Sequence, residues 1–136
     1  MNFEVIEHTA DIGFRAWGAS FEQLLVGASQ ALVSIAMDLG TIEPAHAYPI
    51  AAAGEDRESL LVNWLSEVLY YLDGQRVALA RFEVHRFSES EASGLGWGEP
   101  RQPRHEPRLI VKGVTYHQLR IACENGKWVC EVYLDV

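Results

Sequence analysis

Two apolar stripes at helical spacing constrain the fold of this chain more than any other feature of its sequence. The first stripe lies within residues 21–36 and the second within residues 60–72. Their members are Phe21, Leu24, Leu25, Ala28, Leu32, Ile35 and Ala36, and then Leu60, Leu61, Trp64, Leu65, Val68, Leu69 and Leu72. Because each helix is apolar on one side only, both must pack that side against another layer, and we expect a sheet.

Capping and stop signals predict where the first helix begins and where both helices end. Ser20 followed by Gln23 reads as a capping box that starts the first helix, and Gly40 is placed to end it. The second helix is predicted over residues 56–72, with Gly74 as its stop signal.

Alternation of apolar and polar residues predicts the strands. They are expected at residues 3–7, 13–18, 47–53, 76–87, 109–122 and 127–136. Pro49 confines its strand to a sheet edge, because proline has no N–H to donate. Residues 88–108, rich in Ser, Gly, Pro and charge, are predicted as a long loop, of which residues 91–97 can pair as a strand.

These elements predict a single α+β domain over residues 1–136. The expected architecture is a two-layer sandwich, with a mostly antiparallel sheet and both helices on one of its faces. A chain of 136 residues can bury one core of useful size, and no internal repeat or linker divides it.

The two cysteines flank a predicted hairpin that turns at Asn125-Gly126. This turn places Cys123 and Cys130 in diagonal positions on neighbouring strands, about 7–8 Å apart. That separation exceeds comfortable disulfide geometry, so we expect buried, reduced thiols.

Charge and hydropathy narrow the function classes. The formal net charge is −8 at pH 7, so the chain lacks the Lys and Arg surplus that supplies affinity for phosphates, and direct nucleic-acid binding is not expected. No apolar run reaches the roughly 18 residues that a membrane helix needs. The acidic N-terminal stretch does not resemble a signal peptide, so we expect a cytoplasmic protein.

The clearest chemical signal lies at the two ends of the chain. Asp11 stands in the opening turn, Asp135 is the penultimate residue, and Val136 carries the α-carboxylate. If the last strand runs beside the first hairpin, these oxygen donors can converge on a hard divalent cation. Two plainer interpretations stay open at this point: Asp11 caps its own turn, and Asp135 belongs to a frayed terminus.

Other polar residues give weaker signals. His8, close to Asp11, is a candidate for orienting the proposed site. Lys112 interrupts an apolar strand, and His117 is expected half-buried on that strand, as is His85 on another. Neither cysteine sits in an activating context and no nucleophile elbow is present, so we predict no catalytic residue.

Four blocks of sequence and one pair of features resemble the archease family. The blocks are HTADIGFRAWG at residues 8–18, LLVNWLSEVLYYLDG at 60–74, VKGVTYHQL at 111–119 and WVCEVYLDV at 128–136. The likeness also takes in GEP at residues 98–100 with His105. Together they cover nearly the whole chain in the family's order.

The resemblance implies a two-layer fold built on a strand-helix-strand-strand module. It also implies an accessory protein, not itself an enzyme, whose partner is the GTP-dependent RNA ligase of tRNA splicing and RNA repair. Such a protein promotes guanylylation of the ligase and its multiple turnover. The acidic surface suits a basic protein partner.

By position, the family's metal ligands fall on Asp11, Asp135 and Val136, with Ca²⁺ as the first expectation and Mg²⁺ or Mn²⁺ as alternatives. Lys112 and His117 also fall within family motifs, which makes them, with His8, candidates for supporting the site or contacting the partner. Two further functions stay open: a small metal-dependent phosphoesterase or nucleotide hydrolase using the same carboxylates, and a general chaperone-like interaction module.

Overall fold

The computed structural model describes residues 1–8 and 11–136, and for His8 and Asp11 it describes the backbone alone. The strands in this part are β1 (Phe3–His8), β2 (Asp11–Gly18), β3 (His46–Ala53), β4 (Val77–Phe87), β5 (Glu91–Pro100), β6 (Gly113–Val114), β7 (Arg120–Glu124) and β8 (Lys127–Asp135). The α-helices are α1 (Phe21–Ala36) and α2 (Arg57–Leu69), and a π-helical turn over Tyr70–Gly74 continues α2.

The strands divide between two antiparallel sheets. The first sheet has the order β1-β2-β8-β6, and β7 also pairs with β8. The second has the order β3-β5-β4, which leaves Pro49 on an edge strand as predicted. The α+β class and the antiparallel pairing are confirmed, whereas the division into two sheets is a feature that alternation alone does not reveal.

One hydrophobic core joins the helices to both sheets. α1 packs against β2 of the first sheet and β4 of the second, and α2 packs against β3 and α1. Within the first sheet, Phe14 and Val132 are paired across β2 and β8, and both are fully buried. Between the helices, the buried Trp64 indole N–H donates to the Ser29 hydroxyl at 2.9 Å, so its polar group is satisfied inside the core.

The start of α1 follows its capping signal, and its end does not follow the predicted stop signal. Ser20 caps α1 by accepting from the Gln23 N–H at 3.2 Å, and Asp56 forms a reciprocal capping box with α2. α1 ends at Ala36, so the prediction that Gly40 ends it is wrong. The physical reason is that a later segment satisfies the end of α1: the N–H of Arg108 donates to the carbonyl of Ala36 at 2.9 Å.

The stretch predicted mainly as a loop contains the central strand of the second sheet. β5 extends to residue 100 and pairs with β3 on one side and β4 on the other. β4 carries two register shifts opposite β5, and its backbone lies close to two glycines of β5. A Cβ atom at Gly94 would collide with the Glu83 carbonyl oxygen, and one at Gly98 with that of Ala78. The glycines therefore permit close approach of two strands.

The single long strand predicted over residues 109–122 is wrong. The structure has only the two-residue β6 and the five-residue β7 there, separated by a turn at His117 and Gln118. Gln118 adopts a left-handed backbone conformation, with φ of 52°, which strand geometry does not allow.

The cysteine hairpin forms in the predicted register. Asn125 and Gly126 both have positive φ, as the two-residue turn requires, and the two thiols are free. Cys130 is buried, and this burial raises the pKa of its thiol to about 12. Cys123 is exposed, which corrects the expectation that both thiols are buried. In the described residues, no helix is both long and apolar enough to cross a membrane.

The tight contact at Gly98 predicts a large stability loss on substitution. Gly98→Ala should lower the free energy of unfolding by roughly 2–3 kcal/mol, because the methyl group must displace the backbone of β4. Urea unfolding of the variant measures the loss. Gly40→Ala is the matched control, since its Cβ meets no atom closer than 3.4 Å, and it should change stability by less than about 0.5 kcal/mol. Equal stability of the two variants would contradict the account of β5.

Candidate functional site

The end of β8 is held between strands on both of its sides. Leu134 pairs with Ile12 of β2 and with Val114 of β6. The carbonyl oxygen of Asp135 accepts the N–H of Lys112 at 2.7 Å. The backbone of Asp135 is therefore part of the sheet, which rules out the interpretation of this residue as a frayed terminus.

The strand register brings the backbone of Asp11 beside that of Asp135. Asp11 is the first residue of β2, and the pairing of Ile12 with Leu134 puts Asp11 and Asp135 at the next positions of neighbouring strands. Neighbouring strands lie about 4.8 Å apart. The side chains of Asp11 and His8, two of the predicted site residues, lie outside the described part of the structure.

Asp135 differs from the other acids on its face of the sheet. Its side chain is exposed and makes no hydrogen bond or ion pair with any described residue. By contrast, Glu131 accepts from Arg15 at 2.5 Å, and Arg15 also pairs with Glu4 at 3.1 Å. The hydrogen bond that Arg15 donates to Glu131 raises the pKa of Arg15. The Asp135 carboxylate, unlike that of Glu131, is therefore not neutralised by any described cation.

Val136 follows Asp135 and is 41% exposed. Among the described side chains, no group of three or more His, Cys, Asp or Glu residues is arranged to hold a metal ion. One of the three predicted ligands, Asp11, has a side chain outside the described part of the structure. The ligand set of Asp11, Asp135 and Val136 therefore remains a prediction.

Lys112 and His117 both lie on the segment that runs beside the end of β8. The Lys112 side chain is exposed and forms no ion pair with a described residue. His117 lies in a turn and is exposed, which corrects its predicted position on a strand. Its ring centroid is 6.4 Å from that of Tyr133. His85 does lie on a strand, but it is exposed and bonds Glu83 at 2.9 Å.

Two residues that the sequence analysis did not select support this end of the sheet. The Thr115 hydroxyl donates to the Tyr133 carbonyl at 3.0 Å and accepts the N–H of His117 at 3.2 Å. The Tyr133 ring lies over Gly13, where a Cβ atom would come within 2.8 Å of the ring. The glycine of the HTADIG motif therefore makes room for an aromatic side chain two residues before Asp135.

A buried polar cluster fixes the segment that leads to this site. Glu99 is 7% exposed and His105 is 1% exposed. The Glu99 carboxylate accepts from the Glu43 N–H at 2.9 Å, from the His105 Nε2–H at 2.9 Å and from the Arg104 guanidinium. His105 Nδ1 accepts the N–H of Gln102 at 3.0 Å, so the ring is neutral with its proton on Nε2. These bonds, that from Glu43 first, lower the pKa of Glu99 to about 2.

The same cluster ties two distant stretches of chain together. Arg104 donates to the Thr41 carbonyl at 2.6 Å, and the N–H of Asp38 donates to the His105 carbonyl at 2.8 Å. Residues 101–106 are thereby attached to the connection after α1. The chain then continues directly to Lys112, so the cluster determines where the partner of Asp135 lies. The sequence signal for it was the GEP block with His105.

Comparison with known proteins places this structure in a family. The sequence profile of the Archease protein family matches residues 3–136. The chain belongs to the archease family. It is 39% identical to the archease of Methanopyrus kandleri over 140 residues, which covers 100% of both chains. It is 33% identical to the archease of Pyrococcus abyssi, with 98% of each chain covered.

Solved archease-like structures share the whole fold. The solution structure of a Methanobacterium thermoautotrophicum protein superposes with a TM-score of 0.85 at 33% identity, covering 99% of each chain. The crystal structure of an archease and possible chaperone from Thermotoga maritima gives a TM-score of 0.70 at 22% identity, with 98% and 96% covered. The second likeness concerns the fold alone. Together they bear out the fold expected of an archease.

The Glu99 cluster predicts a pH dependence of stability. The pKa of Glu99 is about 2 in the folded protein and near 4.5 in the unfolded chain. The contribution of Glu99 to folding stability is therefore complete above about pH 4.5 and is lost as pH falls toward 2. Glu99→Gln should therefore be less stable than the parent at pH 6, with the gap in thermal midpoint narrowing between pH 4.5 and 2.

Thermal unfolding followed by circular dichroism measures this gap. Glu89→Gln, at an exposed loop position, is the control for loss of one surface carboxylate. A gap between Glu99→Gln and parent that stays constant across this range would show that the charged form of Glu99 is not what stabilises the cluster.

Proposed function

We propose that this archease-family protein is an accessory factor of a GTP-dependent RNA ligase and holds a divalent cation at the end of β8. The observation that supports this most directly is the register of β2 and β8, which sets Asp11 and Asp135 at adjacent positions. On the other side of β8, the Lys112 N–H donates to the Asp135 carbonyl and holds the backbone of Asp135 in place.

The donor chemistry fits a hard cation. Carboxylates of Asp11 and Asp135, with the α-carboxylate of Val136, would supply oxygen ligands only, the preference of Ca²⁺, Mg²⁺ and Mn²⁺. Asp135 is exposed and unneutralised by the described residues, so it is free to take a ligand role. When bound, the cation supplies a concentrated positive charge that balances these carboxylates at the sheet end.

The proposed role is activation of a partner and not catalysis by this chain. Lys112 and His117, on the segment beside the end of β8, are exposed. The nearby Thr115 hydroxyl is already engaged with the Tyr133 carbonyl and the His117 N–H. We assign Lys112 and His117 to contact with the ligase. The net charge of −8 suits docking to a basic RNA-binding enzyme in the cytoplasm.

Cation binding tests the proposed ligand set. Asp135→Asn and Asp11→Asn should each weaken Ca²⁺ or Mn²⁺ binding about tenfold or more, because each removes a charged oxygen donor. A short extension after Val136 should have a similar effect by removing the terminal carboxylate. Titration calorimetry provides the affinities. Glu131→Gln is the matched control on the same strand, since Arg15 already holds that carboxylate, and its cation affinity should stay unchanged.

A ligase assay tests the proposed role. Adding the protein to purified ligase, GTP and limiting divalent metal should increase guanylylation of the ligase and the number of turnovers. Asp135→Asn should abolish the increase. Lys112→Ala and His117→Ala should reduce it while leaving cation affinity unchanged, because only their exposed side chains are removed.

The outcomes separate the alternatives. Unchanged ligase turnover on addition of the protein would refute the accessory role. Hydrolysis of nucleotide phosphates by the protein alone, lost in Asp11→Asn, would instead identify a metal-dependent phosphoesterase. Protection of unrelated proteins from aggregation, equal in parent and Asp135→Asn, would identify a general chaperone.

A further inference from the structure

A cavity separate from the proposed cation site lies where the ends of the two helices meet the segment after β5. It has a volume of about 270 Å³. Its charged lining residues are Arg76, Arg101, Arg108 and Asp73. Leu69, Leu109 and Ile110 contribute apolar walls. Three guanidinium groups against one carboxylate give this cavity a local charge of +2, although the whole chain carries −8.

Two of the three arginines hydrogen-bond a helix carbonyl, and each uses only part of its guanidinium to do so. Arg101 Nη1 donates to the Leu72 carbonyl at 3.2 Å, and Arg108 Nη1 donates to the Ser34 carbonyl at 2.9 Å. These carbonyls belong to helix ends, where cations are favourable. A guanidinium has five N–H donors in a planar fork, so both residues keep donors for a further acceptor.

Arg76 differs from these two arginines. Its side chain is exposed, lines the cavity and makes no hydrogen bond or ion pair with a described residue. Its backbone has a φ of 57°, in the left-handed region that favours glycine or asparagine after a helix. An arginine there costs conformational energy that a glycine would not, and no hydrogen bond or ion pair of its side chain with a described residue compensates for it.

The positive charges also face one another. Arg101 has a lowered pKa, through burial first and then through the nearby charge of Arg76, and only Asp73 opposes the shift. Three like charges with one described counter-charge, that of Asp73, leave an excess of positive charge, which is the arrangement expected of an anion site. The π-helical turn Tyr70–Gly74 leads into the cavity, and such turns are frequent at functional sites.

We propose that this cavity binds the phosphate group of a small phosphate monoester, with Arg76 as the principal ligand and Arg101 and Arg108 as supporting ones. A phosphate monoester carries a charge of about −1.5 to −2 at pH 7, which matches the local +2 better than the single charge of a carboxylate does. The apolar walls at Leu109 and Ile110, which are 41% and 72% exposed, would cover the organic part of the ligand.

Calorimetry with three probes tests this site: phenyl phosphate, inorganic phosphate and benzoate. The parent should bind phenyl phosphate most tightly, inorganic phosphate next and benzoate least. Arg76→Ala should weaken both phosphate probes roughly tenfold or more, since it removes charged hydrogen bonds. Ile110→Ala should reduce the affinity for phenyl phosphate and leave that for inorganic phosphate unchanged.

Arg76→Gly separates a binding role from a structural one. It should lose phosphate binding and also raise the thermal midpoint by about 2–5 °C, because glycine relieves the left-handed backbone. A merely structural arginine would instead lower the midpoint. Arg86→Ala is the matched control, as Arg86 is an exposed strand arginine outside this cavity, and should bind phosphate like the parent.

Three results would each overturn the proposal: no binding of phenyl phosphate by the parent at millimolar concentration, equal affinity for benzoate, or unchanged binding in Arg76→Ala. Asp135→Asn should bind phosphate normally, because Asp135 does not line the cavity. This site therefore stands or falls separately from the proposed cation site.

Discussion

The carboxylate of Glu99 lies where three stretches of the chain meet, and the arrangement of the C-terminal part depends on it. A carboxylate this deeply buried must be compensated by donors from its surroundings. A backbone N–H at Glu43, a neutral imidazole at His105 and the guanidinium of Arg104 supply them. Because these donors come from the connection after α1 and from the segment after β5, satisfying one charge places the segment that follows β5.

The position of that segment then decides how both helices end. Neither helix carries a basic residue in its last turn, so each leaves carbonyl groups without a favourable charge nearby. Arg101 and Arg108 reach these carbonyls from the segment after β5. The segment continues into β6 and the bond from Lys112 to Asp135. The order at the proposed cation site and the arginine-lined cavity are two consequences of the same placement.

The helices and most strands were predictable because their signals are local. The apolar stripe of α1, its capping residue Ser20 and the Asn125-Gly126 turn each act through residues within a few positions of one another. β5 was harder to predict because its glycines are required by the close approach of another strand, β4. Gly94 and Gly98 resemble loop residues until the bulged backbone of β4 lies against them. The prediction that Gly40 ends α1 was wrong because residues far along the chain bond the last carbonyls of α1.

For the proposed cation site, the sequence by itself determined the chemistry: acids at both ends, His8 beside Asp11, and motifs that resemble one family. It also determined the α+β class, since one-sided helices and alternating strands have few other ways to bury their apolar faces. Only the tertiary structure decided that Asp135 stands in the sheet beside the backbone of Asp11, and that the arginines after β5 line one cavity. Such proximity depends on strand register and on long-range hydrogen bonds, which join residues that local sequence patterns do not connect.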